Sequence, residues 1–413
     1  MKVFFKTFGC RTNLFDTQVM RQNLKDFVVC ENEEEADIIV VNSCTVTNGA
    51  DAGVRSYVNK MNRSGKKIYF TGCGAKTQGK NLFDKNLVFG SFGHTHKEKI
   101  NDFLLAKGRF FYEERSDASH IDTTLVSEFV GKVRAFIKIQ EGCDFACSYC
   151  IIPSVRGISR SYPQARVLEQ IGILADHGVS EVVLTGTNVG SYGKDFGSNI
   201  AKLIHEISKI KGILRIRIGS LEPSQIDEEF LELLEGDFLE RHLHIALQHS
   251  SDRMLEIMNR HNRVASDRAL LEKIADRGFA IGTDFIVGHP GESVQVWEEA
   301  LENLTQLPLT HIHPFIYSIR DNTPSAKMKN TIRGDVAKER LHIINALVAE
   351  KNFSFRQKMS PLRVLVESGK DGLYSGLDQF FNRISIKSAK DLKNCWVDVE
   401  DYGIEKRGNY AEI

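Results

Sequence analysis

The stretch 138-KIQEGCDFACSYCIIPSVRG-157 places three cysteines, Cys143, Cys147 and Cys150, at the spacing C-x3-C-x2-C. It continues a β-prone run, AFIKIQ, that starts at Ala135. Five more runs of the same kind follow: EVVLTG, LRIRIGS, HLHIALQ, AIGTDFIVG and THIHPFIYS. Helical patterns fall between them, at 164–177, 199–210, 224–234 and 294–305. Alternation of this kind predicts parallel strands, here a partial, TIM-like (β/α)6 barrel. The cysteines come directly after the first strand, at a carboxyl end, where such folds build their sites.

Outward from that stretch the chain divides. With 413 residues it is too long for one core. Residues 1–108 alternate strands (KVFFKTF, ADIIVVNS, KKIYFTG) with helices at 14–27 and 50–61, which predicts a doubly wound parallel sheet. Residues 109–131 break the alternation and read as a linker. Residues 132–359 hold the barrel and end in a long helix at 335–359. From 360 to 413 the pattern turns to short alternating segments, a small all-β module of about five strands. The fold class is α/β throughout, apart from this module.

Formal net charge is zero, so whole-chain electrostatics give no pointer to nucleic acid. The module from Ser360 onward carries eight Lys/Arg against nine Asp/Glu and is not a basic patch. Lys132, Arg134, Lys138, Arg156, Arg160 and Arg166 are a local basic group, readable as a phosphate contact or as a solvated face. The N-terminal apolar stretch is too short for a signal region, and no run approaches 18 uninterrupted apolar residues. A cytoplasmic, non-membrane protein is the expectation.

In a reducing compartment, eight cysteines favour metal or catalysis over disulfides. A structural zinc site wants four protein ligands, and no second knuckle follows the compact trio. A [4Fe–4S] cluster takes one thiolate per iron, so three cysteines leave one iron open for a small chelating molecule. S-adenosylmethionine, with its amino and carboxylate groups, suits that corner. Such a cofactor brings radical chemistry to C–H bonds that acid–base catalysis cannot open.

Three further cysteines end strands. Cys10 follows the first strand of the N-terminal sheet, Cys44 the second and Cys73 the third, all on the predicted carboxyl edge. Singly each reads as a small buried hydrophobe; together they read as a second trio. Cys30 precedes a strand and belongs at the opposite end.

The segments TFGCRTNLFDT (7–17), VNSCTVTNGAD (41–51), TGCGAK (71–76), GCDFACSYCIIPSVRGISRS (142–161), LTGTNVGSYG (184–193) and GHPGE (288–292) resemble the radical S-adenosylmethionine methylthiotransferase family over nearly the whole chain. The resemblance implies an enzyme that replaces a C–H by a methylthio group. Cys143, Cys147 and Cys150 would hold the radical cluster, Cys10, Cys44 and Cys73 an auxiliary [4Fe–4S] cluster, and the last domain would be a TRAM-like barrel. It further implies that both clusters turn an open iron to one substrate pocket. CTVTNGAD and Arg11 after Cys10 resemble the branch acting on N6-threonylcarbamoyladenosine in tRNA (MtaB-type). Isopentenyl-adenosine in tRNA and an aspartate of a ribosomal protein are the targets of sibling branches. A non-catalytic metal-containing RNA-binding protein is the alternative of another class. Implied partners are a tRNA anticodon loop, whose target base would be extruded, and an electron donor such as flavodoxin or ferredoxin; the sulfur donor is unknown.

Beyond the cysteines, Tyr149 stands where such enzymes place an aromatic residue against adenine. Asn188, Glu222 and Gln248 follow later barrel strands and are read as cofactor contacts. Asp284 is a buried partner or a site residue. His311 and His313 share a strand face and read as barrel-lining or packing residues. His249-Ser250 and His289 depart from the family pattern, which has Ser-Gly and Phe there. Tyr374, Phe380, Phe381 and Trp396 could stack bases, though each alone reads better as core of the small module.

Overall fold

The computed structural model describes residues 1–113, 120–122, 124–127, 129, 134–358 and 361–413. The N-terminal sheet contains β1 (Lys2–Thr7), β2 (Val28–Val29), β3 (Ile38–Ser43), β4 (Lys67–Gly72), β5 (Gly90–Ser91) and β6 (Phe110–Phe111). They pair in parallel in the order β2-β1-β3-β4-β5-β6. The central β3 is buried along its whole length, as a strand covered on both faces must be. Helices α1 (Arg11–Gln22), α2 (Asn48–Arg63), α3 (Lys80–Asp84) and α4 (Ile100–Leu105) connect the strands.

Two readings shift here. The first helix spans Arg11–Gln22 rather than 14–27, because Leu24 and Phe27 reach the apolar core from beyond its end and extend the apparent period. Phe110–Phe111, inside the stretch read as linker, adds an edge strand to the sheet. The rest of that stretch lies partly outside the described residues.

The barrel strands are β7 (Ala135–Lys138), β10 (Glu181–Thr185), β11 (Arg215–Ile218), β12 (His242–His244), β13 (Ala280–Val287) and β14 (His311–Ile316). A short ribbon, β8 (Gln140–Glu141) with β9 (Arg160–Ser161), brackets the cysteine loop. Two three-stranded parallel sheets, β11-β10-β7 and β12-β13-β14, are joined by single bridges at Ile216–Leu239 and Leu221–Ile245. The result is a six-stranded partial barrel, open between β7 and β14. Around it lie α5 (Ile152–Arg156), α6 (Gln164–Asp176), α7 (Ile200–Ser208), α8 (Glu228–Glu232), α9 (Asp252–Ile257), α10 (Val264–Ala275), α11 (Val294–Gln306) and the long α12 (Gly334–Arg356). Phe15 and Val19 of α1 join the same apolar core as Ala135 and Ile137 of β7, so the N-terminal domain leans on the barrel's open side.

The C-terminal module is a curled six-stranded sheet, β15 (Leu362–Lys370), β16 (Leu373–Leu377), β17 (Arg383–Lys387), β18 (Trp396–Val399), β19 (Gly403–Glu405) and β20 (Gly408–Glu412), ordered β18-β15-β16-β17-β20-β19. It has one strand more than expected: β20 returns from β19 and pairs in parallel with β17. Tyr374 and Phe380 belong to its core, which also takes in Ala280 of β13. Phe381 is held at φ 68° and stacks on His242 at 5.0 Å, inside the barrel's amino end. Around it Arg217 donates to the Asp378 carbonyl at 3.2 Å, and Arg215 to those of Arg363 and Leu377. Trp396 donates to Ser180 at 2.8 Å. The four aromatic residues therefore build the module and its seat.

Candidate functional site

At the carboxyl edge of the N-terminal sheet, three strand ends carry Cys10, Cys44 and Cys73. Cys10 is the N-cap residue of α1, in extended conformation, with no capping bond from its side chain. Gly9 precedes it at φ +105°, and a Cβ there would lie 2.5 Å from Cys44 Cβ. Only glycine lets these two cysteine turns approach so closely. Asn13 ties the turns together. Its amide donates to the Phe8 and Ser43 carbonyls at 2.9 and 3.0 Å, and its oxygen lies 3.7 Å from Cys10 Sγ. Burial pushes the Cys73 thiol up to about 12, the Arg156 guanidinium pulls it down, and Cys10 and Cys44 are close enough to raise it further. The predicted convergence of Cys10, Cys44 and Cys73 is present. Cys30 accompanies Val3 at the other end of the sheet.

The compact trio sits on an extended loop at the barrel's carboxyl end. Gly142, at φ +78°, opens it; a Cβ there would lie 1.7 Å from the Ile158 carbonyl oxygen. Cys143 N–H donates to the Gly157 carbonyl at 3.0 Å, and Ser148 fastens the loop to the Ile257 and Met258 carbonyls. Burial pushes Cys150 up to about 12, with Cys147 and Cys143 adding to it.

The residues read as cofactor contacts separate into two groups. Asn188 Nδ2 stands 3.7 Å from Cys143 Sγ, and its oxygen accepts from Gln225 at 2.7 Å. Glu222 pairs with Arg260 at 2.5 Å, and Arg260 Nη1 lies 3.7 Å from Cys147 Sγ. Tyr149 packs with Met254 and Met258 and sets its ring edge-on to His289 at 6.3 Å; burial holds its phenol well above the ordinary value. These three surround the compact trio. Gln248 stands apart: at φ 69° its backbone bridges Asp284 and Ile286. The two histidines that depart from the family pattern are structural partners here. His249 reaches Glu292 at 3.2 Å, and His289 reaches Ser325 at 2.8 Å.

Two cavities open at these thiols. One of about 1040 Å³ is lined by Cys143, Cys147 and Cys150 and, from the N-terminal domain, by Lys76 and Thr77. The other, about 380 Å³, lies within the barrel and takes in Cys10, Arg11, His244, Asp284, His313 and Phe381. Cysteines of both trios thus line open space, all three of the compact trio in one cavity and Cys10 in the other. Ile151, just before α5, and Val155 on it pack on Cys73 and also line the larger cavity. Asp284 is a chamber residue: its carboxylate accepts from His244 at 3.3 Å and lies 3.7 Å from His313. His313 therefore faces the chamber, while His311 packs edge-on against His242.

The basic group near the compact trio is not a phosphate face. Arg134, Lys138, Arg156 and Arg160 are all buried in ion pairs with Glu181, Glu367, Asp16 or Glu141. Arg166 is half-buried beside Glu169, and Lys132 lies outside the described residues. Sequence reasoning missed Asn13, Gln225 and Arg260. Each is an ordinary polar residue with at least one decisive partner far along the chain: Arg156 for Asn13, Asn188 for Gln225 and Glu222 for Arg260.

The donor sets fit iron–sulfur cubes. In neither trio do the three sulfurs all lie within 4.8 Å of one another. A single tetrahedral zinc would draw its thiolates to about 4 Å. Each trio offers three thiols, the set that leaves one corner of a four-iron cube open.

A partial parallel barrel with a three-cysteine loop at its carboxyl end defines a radical S-adenosylmethionine enzyme, here with a second thiol trio attached. The Radical SAM superfamily model matches residues 137–304, and that of the Uncharacterized protein family UPF0004 matches residues 2–92. A protein of Helicobacter pylori (strain J99) named as a methylthiotransferase is 63% identical over 414 residues, covering 99% of each chain. The threonylcarbamoyladenosine tRNA methylthiotransferase MtaB of Aquifex aeolicus is 36% identical, covering 89% of this chain and 93% of its own. Among solved structures, the radical S-adenosylmethionine methyltransferase TsrM of Kitasatospora setae shares the fold, with a TM-score of 0.59 at 15% identity over 79% of this chain and 75% of that one. The chain belongs to the radical S-adenosylmethionine methylthiotransferase family. It is a transferase, and its cofactors are those of that family: S-adenosylmethionine and two [4Fe–4S] clusters. Among the described residues no helix is long and apolar enough to cross a membrane.

Proposed function

We propose that this protein is a cytoplasmic tRNA methylthiotransferase acting on C2 of N6-threonylcarbamoyladenosine beside the anticodon. The observation that carries the reading is the assembly of Cys10, Cys44 and Cys73 on the open side of the barrel, with Cys10 lining the interior chamber. The match to the Aquifex aeolicus MtaB supports the choice of substrate.

When bound, the two clusters and S-adenosylmethionine supply hydrogen abstraction and the methylated sulfur. The chain's residues do the rest. Cys143, Cys147 and Cys150 hold the radical cluster; Cys10, Cys44 and Cys73 hold the auxiliary one. Asn188 and Glu222 border the compact trio and would bind the polar end of S-adenosylmethionine, Tyr149 would support its adenine, and Gln248, held by its backbone against β13, would add a contact from that side. The barrel chamber receives the extruded base, with His244, Asp284 and His313 as its polar wall and Phe381 as its apolar floor. The barrel walls keep water from the reacting carbon. In this reading the catalytic barrel lies between an auxiliary-cluster domain and a TRAM-like module; tRNA and a reductant such as flavodoxin or ferredoxin are the partners.

Nucleoside mass spectrometry of tRNA from cells lacking the protein tests this. The methylthio form of N6-threonylcarbamoyladenosine is expected to vanish while its precursor accumulates. An unchanged level, with loss of methylthio-isopentenyl-adenosine or of a methylthiolated ribosomal-protein aspartate, would assign the chain to a sibling branch.

A further inference from the structure

Six residues after the last cysteine of the compact trio, α5 ends at Arg156. That side chain is 2% exposed, and its whole guanidinium is engaged. Nε donates to Cys73 Sγ at 3.1 Å, Nη1 to Glu141 at 2.5 Å, and Nη2 to Asn13 at 2.8 Å and Asp16 at 3.2 Å. One residue of the barrel domain thus donates to a sulfur of the other trio. Asn13, which accepts from Nη2, also braces the turns of Cys10 and Cys44.

The surroundings make this contact electrostatic as well as geometric. Four buried cations, Arg156, Lys138, Lys97 and Arg160, share three buried carboxylates, Asp16, Glu141 and Asp122. The cations of this cluster outnumber its carboxylates by one, and Arg156 is the member that donates to a cysteine sulfur. Hydrogen bonds and positive charge at a ligand sulfur favour the more negatively charged, reduced state of a bound iron–sulfur cluster. A planar fork with five donors can satisfy four partners at once; a lysine ammonium at the same place cannot.

We propose that Arg156 is a positioning residue that raises the reduction potential of the cluster held by Cys10, Cys44 and Cys73. This rests on the assignment of that trio as cluster ligands. Because Arg156 belongs to the helix that follows Cys150, the chain ties the auxiliary cluster's poise to the loop that carries the radical cluster.

The test uses the full chain with Cys143, Cys147 and Cys150 all changed to Ala, reconstituted with iron and sulfide so that only the auxiliary site is loaded. A redox titration followed by electron paramagnetic resonance reads its midpoint potential, and iron analysis reads its occupancy. Arg156→Gln is expected to keep the iron and move the midpoint to more negative potential, with Arg156→Lys moving it less. Glu141→Gln removes a competing carboxylate and is expected to move the midpoint the other way, which keeps the proposal testable should Arg156→Gln not hold iron. An unshifted midpoint in a loaded Arg156→Gln protein, or shifts of the same sign in Arg156→Gln and Glu141→Gln, would overturn the role of Arg156. No iron–sulfur signal at all in the parent triple variant would overturn the cluster assignment beneath it.

Discussion

The two cysteine trios reach similar donor sets by opposite routes. Cys143, Cys147 and Cys150 lie on one loop, pinned by hydrogen bonds to Gly157, Ile257 and Met258. Cys10, Cys44 and Cys73 come from three separate turns, and only the register of β1, β3 and β4 brings them together. The first trio depends on local backbone conformation, the second on the integrity of a whole sheet. Exposure differs too: the loop cysteines are all half-buried, whereas the assembled trio runs from exposed Cys10 to buried Cys44 and to Cys73, buried against Ile151 and Val155. A local site can load metal while the rest of the chain loosens; an assembled one fails with its scaffold.

The largest expected effect separates the sites outright. Cys147→Ala should lose about half of the roughly eight irons expected for two cubes and all formation of 5′-deoxyadenosine from S-adenosylmethionine. Cys44→Ala should keep that cleavage and lose the methylthiolated product. Normal product from Cys44→Ala would erase the distinction between the trios.

A buried truncation in the sheet sharpens it. Ile39 is fully buried in β3, so Ile39→Ala should cost about 2–5 kcal/mol in urea unfolding. Its iron should fall at the auxiliary site first, with cleavage of S-adenosylmethionine the more resistant activity. Acid gives a gentler version. Burial works against the Asp16 charge, but Lys138, Lys97 and Arg156 hold its carboxyl down to about 2 from 3.8. With the folded value below the ordinary one, the stabilisation is present above about pH 4 and drains away as pH falls toward 2. The melting temperature should drop across that window, and Asp16→Asn should start lower and vary less. The smallest effect is at the cap of α2, where Thr47 accepts from Ala50 N–H at 3.1 Å. Thr47→Ala should cost about 1 kcal/mol and leave both iron sites filled.

Much of this was legible in the sequence. Apolar runs of strand length, each followed by a turn and a helix, placed Cys10, Cys44 and Cys73 on one edge before any coordinates. The compact trio announced itself by spacing. What stayed hidden were pairings across the chain. Lys138 and Arg156 read as surface cations because their carboxylates, Asp16 and Glu141, are supplied partly by another domain. For His313 the sequence left barrel-lining and packing open, because the carboxylate that decides between them, Asp284, comes from the neighbouring strand β13. The Arg260–Glu222 pair joins residues of different barrel units, and no periodicity encodes such a match.

Phe381 and the carbonyls around it bear on how the chain can be dissected. The ring occupies the barrel's amino end against His242, while Arg215 and Arg217, each paired with Glu181 through Nε, turn further donors to the module's backbone. Cutting the chain after α12 would uncork the barrel: water would flood its base, and two guanidinium groups would lose the carbonyls that neutralise their hydrogen-bonding demand. The module is thus a stopper as much as an arm, and a truncated enzyme made to probe RNA binding would report a leaking vessel instead.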